Sequence, residues 1–337
     1  MGTFVIAEAG VNHDGSLERA LELVAIAHRA GADAVKFQTF RADALVVAGA
    51  GRAEYQKRAT GNGDQRSMLA ALELSEAAHV AIAARCAELG IEFMSTAFDE
   101  PSMAMLARLG MRRIKVPSGE VTNRPFLRAL AAYGRPLILS TGMCSLDEVT
   151  ASIGWLDEAS PGGRADLTVL HCTSSYPAEP QDVNLNAMRT MAEAFGRPVG
   201  YSDHTRGIEV SIAAVALGAT VVEKHFTVSR SLPGPDHAAS LEPAELAAMV
   251  RSIRSVEHAL GDGTKAPRPV EIPVRALVRR SVATARALPA GTVLAAADLT
   301  TMRPGTGIPP AELDALVGRS LARAVEAGQL LDRDALE

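Results

Sequence analysis

The sequence predicts a (β/α)8 barrel followed by a small β-rich domain, and three observations lead to this fold class. Short runs rich in β-branched and aromatic residues alternate eight times with helical stretches between Thr3 and Leu260. Polar side chains follow at the carboxyl ends of these runs, where the active site of such a barrel lies. Beyond Leu260 the helical period is lost. An open, doubly wound sheet shares the alternation, but the ring of polar residues favours the barrel.

The individual strands and helices follow from the hydrophobic period of each stretch. The eight predicted strands, in chain order, are TFVIAE, DAVKFQ, IEFMST, RIKVPS, PLILST, LTVLHC, PVGYSD and TVVEKH. The helices with the clearest period are LERALELVAIAHRAG, SEAAHVAIAARCAELG, VSIAAVALG and EPAELAAMVRSIRSVEHAL. Several of these helices end at a glycine, which is a helix-stop signal.

Length, charge and cysteine content exclude several classes of protein. The chain has 337 residues, 47% of them hydrophobic, and a net charge of −5 at pH 7, so we expect a folded protein that binds no nucleic acid. The three cysteines form no CxxC pair, which indicates a reducing compartment, the cytoplasm. The first residues lack the features of a signal peptide and no apolar run could span a bilayer, so we expect no membrane association.

Two histidines indicate a metal site. His204 and His225 each follow an apolar run, with Ser202 two residues before one and Glu223 two residues before the other. Strand side chains alternate between faces and neighbouring strands lie roughly 5 Å apart, so both imidazoles should meet at one rim. Such a pair can hold a divalent cation that keeps positions open for water and substrate. A lone strand histidine is more often a core residue, as we expect for His171.

The stretch KVPSGE, after the fourth predicted strand, is a candidate anion site. Lys115, Ser118 and Gly119 supply an ammonium group, a hydroxyl and a loop amide. Neighbouring strand ends add the hydroxyls of Thr96, Ser140 and Ser202. The chain has no P-loop and no GxGxxG motif, so no nucleotide is indicated. The position of these groups at the barrel rim therefore predicts a phosphate site.

Longer motifs run through nearly the whole chain: IAEAGVNHDGS, AVKFQTF, KVPSGE, ILSTGM, LHCTSSYP, YSDHTRG, VVEKHFT and PGPDHAASLEP. In sequence and order they resemble those of the sialic acid synthase family, which makes nonulosonic acids from phosphoenolpyruvate and an N-acetylated hexosamine. The last three are the most specific. The resemblance implies a (β/α)8 barrel, a C-terminal antifreeze-like (SAF) domain and a domain-swapped homodimer. It also implies a divalent cation, Mn2+, with Mg2+ or Co2+ as alternatives.

The resemblance further implies a role for each matching residue. His204 and His225 would bind the metal, and Glu223 would be the acid/base that handles the attacking water. Glu223 is not expected to pair with Lys224, because adjacent strand residues point to opposite faces. Residues matched to the reacting centre and the sugar are Glu8, Lys36, Tyr176, Gln38 and Asp236, the first three as catalytic groups. Residues matched to phosphoenolpyruvate are Lys115, Ser118, Thr96, Ser140, Ser174 and Ser202.

Two residues depart from the family pattern. Ser174 stands where some members carry asparagine, and Ala97 stands where proline is common. Neither change removes a charge, so we expect altered hydrogen bonding to phosphoenolpyruvate at most.

The implied reaction joins C3 of phosphoenolpyruvate to the aldehyde carbon of the open-chain sugar, with the cation as Lewis acid. Water activated through Glu223 adds to the resulting oxocarbenium ion, and loss of phosphate leaves a 2-keto acid. The expected sugar is N-acetylmannosamine, giving N-acetylneuraminate. The alternative is 2,4-diacetamido-2,4,6-trideoxymannose, giving N,N'-diacetyllegionaminate. Two other classes are a Schiff-base pyruvate aldolase using Lys115 or Lys36 and a non-catalytic sugar-binding protein.

The C-terminal part of the chain has its own pattern. We place the catalytic barrel at residues 1–260, a linker rich in proline and glycine at 261–274, and the SAF domain at 275–337. ARALPAGTVL and ARAVEAGQLL, from Ala285 and Ala322, are two copies of one turn-and-strand unit with a glycine at the turn. The resemblance places Arg303 over the active site of the partner subunit, where its guanidinium would bind the sugar's N-acetyl group.

Overall fold

The larger unit of the protein is a closed barrel of parallel strands. The computed structural model describes residues 2–337, apart from the side chains of residues 55 and 58. Within these residues eight strands pair in chain order and the last pairs with the first. They are β1 (Phe4–Gly10), β2 (Ala34–Thr39), β3 (Glu92–Ala97), β4 (Ile114–Val116), β5 (Leu137–Ser140), β6 (Leu167–Cys172), β7 (Val199–Asp203) and β8 (Val221–His225). The predicted barrel is confirmed, and the open-sheet alternative is wrong.

Helices connect successive strands of this unit. They are α1 (Leu17–Ala30), α2 (Ala42–Leu45), α3 (Glu54–Thr60), α4 (Gln65–Ala70), α5 (Glu76–Leu89), α6 (Glu100–Arg108), α7 (Arg124–Ala131), α8 (Leu146–Ala159), α9 (Ala187–Phe195), α10 (Glu209–Ala216) and α11 (Pro243–Leu260). Helix α1 shows how the sequence sets their ends: Ser16 caps its first turn, and Gly31 ends it with a φ of 81°. Within residues 2–337, no helix combines the length and the apolar character that crossing a membrane requires.

Alternation along the strands separates two layers of side chains. Outward-facing residues form the main core against the helices. Inward-facing apolar residues form a small floor inside the barrel, and its buried members are Ile6, Ala34, Met94, Ile138, Leu170 and Val221. Two residues further along each of these strands, the same inward face carries Glu8, Lys36, Thr96, Ser140, Cys172 and Glu223. The apolar floor therefore supports a ring of mainly polar groups at the carboxyl ends of the strands.

The second compact unit, Asp262–Glu337, has its own hydrophobic core. Its regular elements are α12 (Ile272–Val278), β9 (Ser281–Thr284), β10 (Leu299–Met302) and α13 (Leu313–Leu316), with β9 and β10 antiparallel. The structure differs from the prediction in the segment 261–274, where α12 already begins. Pro273 lies in the first turn of α12, where a missing N–H costs nothing, so proline does not prevent the helix.

The two repeated units of the C-terminal part have the same backbone turn and pair with each other. Gly291 and Gly328, at the same place in the two copies, both have a φ of 76°, which glycine adopts without strain. Leu288 and Val325, also equivalent, exchange two backbone hydrogen bonds of 2.9 Å. The repeat seen in the sequence is thus a pair of matching half-units in the fold.

Candidate active site

A cavity of about 530 Å³ opens at the carboxyl ends of the strands. It is lined by nearly all of the site residues predicted from the sequence: Glu8, Lys36, Gln38, Thr96, Lys115, Ser118, Ser140, Ser174, Tyr176, Ser202, His204, Glu223, His225 and Asp236. Arg303 is the exception, because it belongs to the second unit, where it is an exposed residue just after β10. The barrel thus brings together residues that lie more than 200 positions apart in the sequence.

Four charged side chains lie at the bottom of this cavity and are called the charged floor. Lys36 Nζ lies 2.8 Å from Glu8 Oε2 and 3.7 Å from Glu223 Oε2. Lys115 Nζ lies 3.5 Å from the other oxygen of Glu223. All four are buried, with relative exposures of 1–4%. Two positive and two negative charges therefore alternate in a site where charges interact strongly, because little water screens them.

The surroundings shift the pKa values of the two carboxyl groups, Glu8 and Glu223, in opposite directions. Burial, partly offset by Lys36 and reinforced by Glu223, raises the pKa of Glu8 to about 7. Burial also acts to raise the pKa of Glu223, but Lys115 and Lys36 outweigh it and hold that pKa below its usual value. Burial lowers the pKa of Lys115. Two carboxyl groups separated in this way can act as a proton donor and a proton acceptor at neutral pH.

His204 and His225 meet at the rim, as their strand positions predict. Their ring centroids are 5.5 Å apart. His204 Nδ1 lies 2.7 Å from the carbonyl oxygen of Thr173, which leaves Nε2 available to a ligand if Nδ1 carries the proton. His225 Nδ1 is buried and has no hydrogen-bond partner among residues 2–337. Its nearest acidic group is Asp236, whose Oδ2 lies 3.9 Å from Nδ1.

These groups fit a weakly coordinated divalent cation. Burial, with His204 and Lys36 nearby, lowers the pKa of His225 well below its usual value, so its ring is neutral and keeps a lone pair. Burial acts in the same direction on His204, but Cys172 and the Thr173 carbonyl outweigh it and raise its pKa. A proton and a metal cation compete for the same ring nitrogen, so binding of a cation there would release that proton. In the described part of the chain no three His, Cys, Asp or Glu residues form a ready metal cluster, so water or substrate would supply the remaining ligands.

Hydroxyl groups gather on the other side of the cavity, around Gly142. The Gly142 N–H donates to Ser118 Oγ over 2.8 Å. A Cβ atom at position 142 would lie 2.2 Å from Ser174 Oγ and 3.2 Å from Cys172 Sγ, so a larger residue there would force the Ser174 hydroxyl to move. Ser140 Oγ is buried and has no hydrogen-bond partner in the described structure. Lys115 lines the same cavity as these hydroxyls, so the groups predicted from KVPSGE to bind an anion lie together.

Tyr176 and the end of β1 complete the cavity. The Tyr176 ring lies 4.1 Å from the His204 ring and 5.7 Å from the His225 ring, measured between centroids. Gln38 Nε2 donates to Glu8 Oε1 over 3.2 Å. Gly10 has a φ of 54°, and a bulge in β1 lies between Glu8 and Gly10, which turns the chain over the cavity.

Several residues of the site were not predicted from the sequence, among them Cys172, which lines the cavity, and Gly142, which lies against Ser174. Cys172 Sγ lies 3.7 Å from His204 Nδ1. The period of two along β6, which puts Cys172 on the same face as Leu170, could have identified it. The signal for Gly142 was its place just after the fifth strand, in ILSTGM.

One expectation about neighbouring residues is confirmed and one is not. His171 faces away from the site, with Nε2 2.6 Å from the Val183 carbonyl oxygen, but it is half-buried and lines a separate cavity, so it is not the core residue expected. Lys224 does not pair with Glu223; it binds Asp203, on the outer face of the barrel, with 2.9 Å between Nζ and Oδ2. Glu223 is therefore left facing the cavity.

Both units of the chain are similar to known protein families. The model of the NeuB family matches residues 23–265, and that of the SAF domain matches residues 279–337. An N,N'-diacetyllegionaminic acid synthase from Legionella pneumophila is 53% identical over 98% of this chain and 94% of its own. One from Campylobacter jejuni is 42% identical over 98% of each chain. Among solved structures, an N-acetylneuraminic acid synthetase from Leptospira borgpetersenii is 34% identical with a TM-score of 0.72, over 81% of this chain and 90% of that one.

Proposed function

The chain belongs to the NeuB family, whose relatives are nonulosonic acid synthases, and from this premise we propose that it condenses phosphoenolpyruvate with 2,4-diacetamido-2,4,6-trideoxymannose. The products are N,N'-diacetyllegionaminate and phosphate. One observation supports this choice of sugar: identity is 53% and 42% to two N,N'-diacetyllegionaminic acid synthases, against 34% to an N-acetylneuraminic acid synthetase. The proposal thus prefers the alternative sugar to the N-acetylmannosamine expected from the motifs.

Phosphoenolpyruvate is assigned to the hydroxyl-lined side of the cavity. Lys115 supplies a positive charge there, Ser118 and Ser174 supply hydroxyls that both lie beside Gly142, and Ser140 lines the same cavity. Such a set suits the phosphate and carboxylate of a small dianion. Ser174, the departure from the family pattern, lies against Gly142 inside this group, so a shorter side chain than asparagine still reaches the anion site.

The aldehyde end of the sugar is assigned to the side of β1, β2 and β8, beside Glu8, Gln38 and the two histidines. If the histidines hold a divalent cation, it supplies a Lewis acid for the aldehyde oxygen. Glu8, with a pKa raised to about 7, is the group suited to give a proton to the new alkoxide. Lys36 lies between Glu8 and Glu223. Its positive charge offsets the repulsion between the two carboxyl groups and orients both.

Glu223 handles the water that completes the reaction. It stays ionised because Lys115 and Lys36 lower its pKa, so it can accept a proton from water attacking C2 of the oxocarbenium ion. Ser202 Oγ donates to Glu223 Oε1 over 3.2 Å and fixes the carboxylate. The second oxygen, Oε2, is buried without a hydrogen-bond partner in the described structure, which makes it the acceptor for that water.

The test is phosphate release from phosphoenolpyruvate with each sugar supplied separately, with Mn2+, as a function of sugar concentration. We expect kcat/KM to be at least tenfold higher for the diacetamido sugar than for N-acetylmannosamine, and the product to be a nine-carbon 2-keto acid by mass spectrometry. Faster turnover of N-acetylmannosamine would assign the other sugar.

The same assay distinguishes the proposed synthase from a Schiff-base pyruvate aldolase. A synthase of the proposed kind loses activity in EDTA and forms no adduct when borohydride is added with pyruvate. Trapping of pyruvate on Lys115 or Lys36, with activity retained in EDTA, would contradict the proposal.

A further inference from the structure

One side of the catalytic cavity is apolar. The side chains that line it there are called the apolar wall: Val11, Met68, Leu69, Leu72 and Phe98. Val11 follows β1, Phe98 follows β3, and the other three belong to α4 and the turn after it. Val11 and Leu72 belong to one hydrophobic cluster, against which Leu69 and Phe98 pack. The wall is therefore a packed surface with a defined shape.

Close contacts between two loops hold the wall in place. A Cβ atom at Gly15, in the loop after β1, would lie 2.7 Å from the carbonyl oxygen of Ala71, at the end of α4. Asp64 caps α4 by accepting a hydrogen bond of 3.0 Å from the Ser67 N–H. Met68 and Leu72 are each 7% exposed. The wall is thus formed before any substrate binds.

Among the described side chains of residues 40–74, those that line the cavity carry no charge. They are Ala53, Gln56, Gln65, Met68, Leu69 and Leu72. A hydroxyl group pressed against Met68 or Leu72, out of reach of the Gln56 and Gln65 amides, gives up its hydrogen bonds to water without replacement, which is unfavourable. A methyl group in the same place is stabilised by leaving water.

The order of strands around the barrel decides which substrate faces the wall. The anion site lies on β4, β5 and β6, whereas Val11, Phe98 and α4 lie beyond β1, β2 and β3, on the sugar side. Val11 comes three residues after Glu8, and Phe98 two after Thr96, so the wall lies above the charged floor. We place C1 of the open-chain hexose at that floor, so that its C6 end can reach the wall.

We propose that the apolar wall receives C6 of the sugar as a methyl group and so selects 6-deoxy sugars against those with a C6 hydroxyl. This inference rests on the proposed function, because it assigns the far end of the same substrate. Apolar pockets reject one added hydroxyl by about 10- to 100-fold in kcat/KM, and this is the discrimination expected here.

The first experiment uses the wild-type protein and two sugars that differ only at C6. N-acetylmannosamine is compared with 2-acetamido-2,6-dideoxymannose, and phosphate release gives kcat/KM for each. We expect the 6-deoxy sugar to be favoured by about 10-fold or more. Equal values, or a preference for the hydroxyl, would overturn the proposal whatever the variants do.

The second experiment changes the wall. Met68→Gln keeps the side-chain length and adds an amide that can bond a C6 hydroxyl, so the 6-deoxy preference should fall by about tenfold while KM for phosphoenolpyruvate stays the same. Met105→Gln is the matched control, since Met105 is buried to a similar degree, 9% against 7% exposed, and does not line the cavity. The same loss of preference in both variants would contradict a direct contact with the wall.

The two proposals fail in different ways. Suppose that N-acetylmannosamine is turned over faster than the diacetamido sugar while the 6-deoxy compound is still preferred to N-acetylmannosamine. In that case the proposed function is wrong and the proposed role of the wall is supported. If the diacetamido sugar is preferred but the C6 hydroxyl has no effect, the proposed role of the wall is wrong and the proposed function is supported. An enzyme inactive with all three sugars contradicts both.

Discussion

Lys224 Nζ lies 2.9 Å from Asp203 Oδ2, and both side chains are fully buried on the outer face of β7 and β8. Lys224 also donates to the Thr205 carbonyl over 2.6 Å, and Asp203 accepts from Ser211 Oγ over 2.6 Å. The pair thus ties together the two strand ends that carry His204 and His225 into the cavity.

Removing one partner of this ion pair should destabilise the fold. We expect Lys224→Met to lower the free energy of unfolding by about 3 kcal/mol or more, because Asp203 is left charged and buried. Arg230→Met is the control: Arg230 binds Glu245 at 2.7 Å, but both are about 40% exposed, so the loss should stay below about 1 kcal/mol. Urea unfolding measures both, and equal losses would contradict the argument.

Glu223→Gln tests the assignment of proton handling. The amide keeps the size of the side chain but cannot take a proton from water, so we expect kcat to fall by roughly 10²-fold or more. Binding of Mn2+, followed by calorimetry, should change little because the two histidines are untouched. Wild-type turnover in this variant would move the role to another group.

The metal assignment is tested at the histidines. His204→Ala and His225→Ala should each lose activity largely through weaker Mn2+ binding, with partial recovery at high Mn2+, because two ligands leave no redundancy. His171→Gln is the control, since His171 faces away from the cavity. Full activity of both alanine variants in metal-free buffer would show that no metal is held there.

His13 should make stability depend on pH. Burial, with His79 and Arg19 nearby, lowers the pKa of His13 to about 4. Between about pH 6.5 and 4 the unfolded chain therefore binds a proton that the folded protein does not, and stability falls as pH falls. His13→Asn should reduce this slope by up to about 1.4 kcal/mol per pH unit. Thermal unfolding at several pH values measures it, and an unchanged slope would assign it to other groups.

Arg303 is expected to act across a homodimer. Arg303→Ala and His204→Ala chains should each be nearly inactive, but mixing them under conditions that exchange subunits should partly restore activity. One of the two sites in a mixed dimer then has an intact metal site and an intact arginine. Arg280→Ala, in the same unit, should be active alone.

Failure of mixing to restore activity would refute the role in trans. The same holds for a fully active monomer truncated at about residue 270, since it would need no residue of the second unit.

The barrel was predictable because its signal is local. Period-two alternation within each strand places Glu8, Lys36 and Glu223 on the inner face, and strand order places His204 beside His225. The short helices α2–α4 were not predicted, because a segment such as QRSMLA in α4 is too short to show a hydrophobic period. The start of α12 was hidden by Pro273, which excludes a helix only beyond its first turn.

By itself the sequence determined the barrel, the repeated unit of the tail, the family and most of the polar residues that line the cavity. Only the tertiary structure decided how these residues meet: Lys36 between two carboxyl groups, Gly142 against Ser174 and Cys172, and Leu72 beside Val11. The reason is physical. Periodicity fixes the direction of a side chain on its own element, whereas the distance between two elements depends on barrel closure and on how the loops pack together.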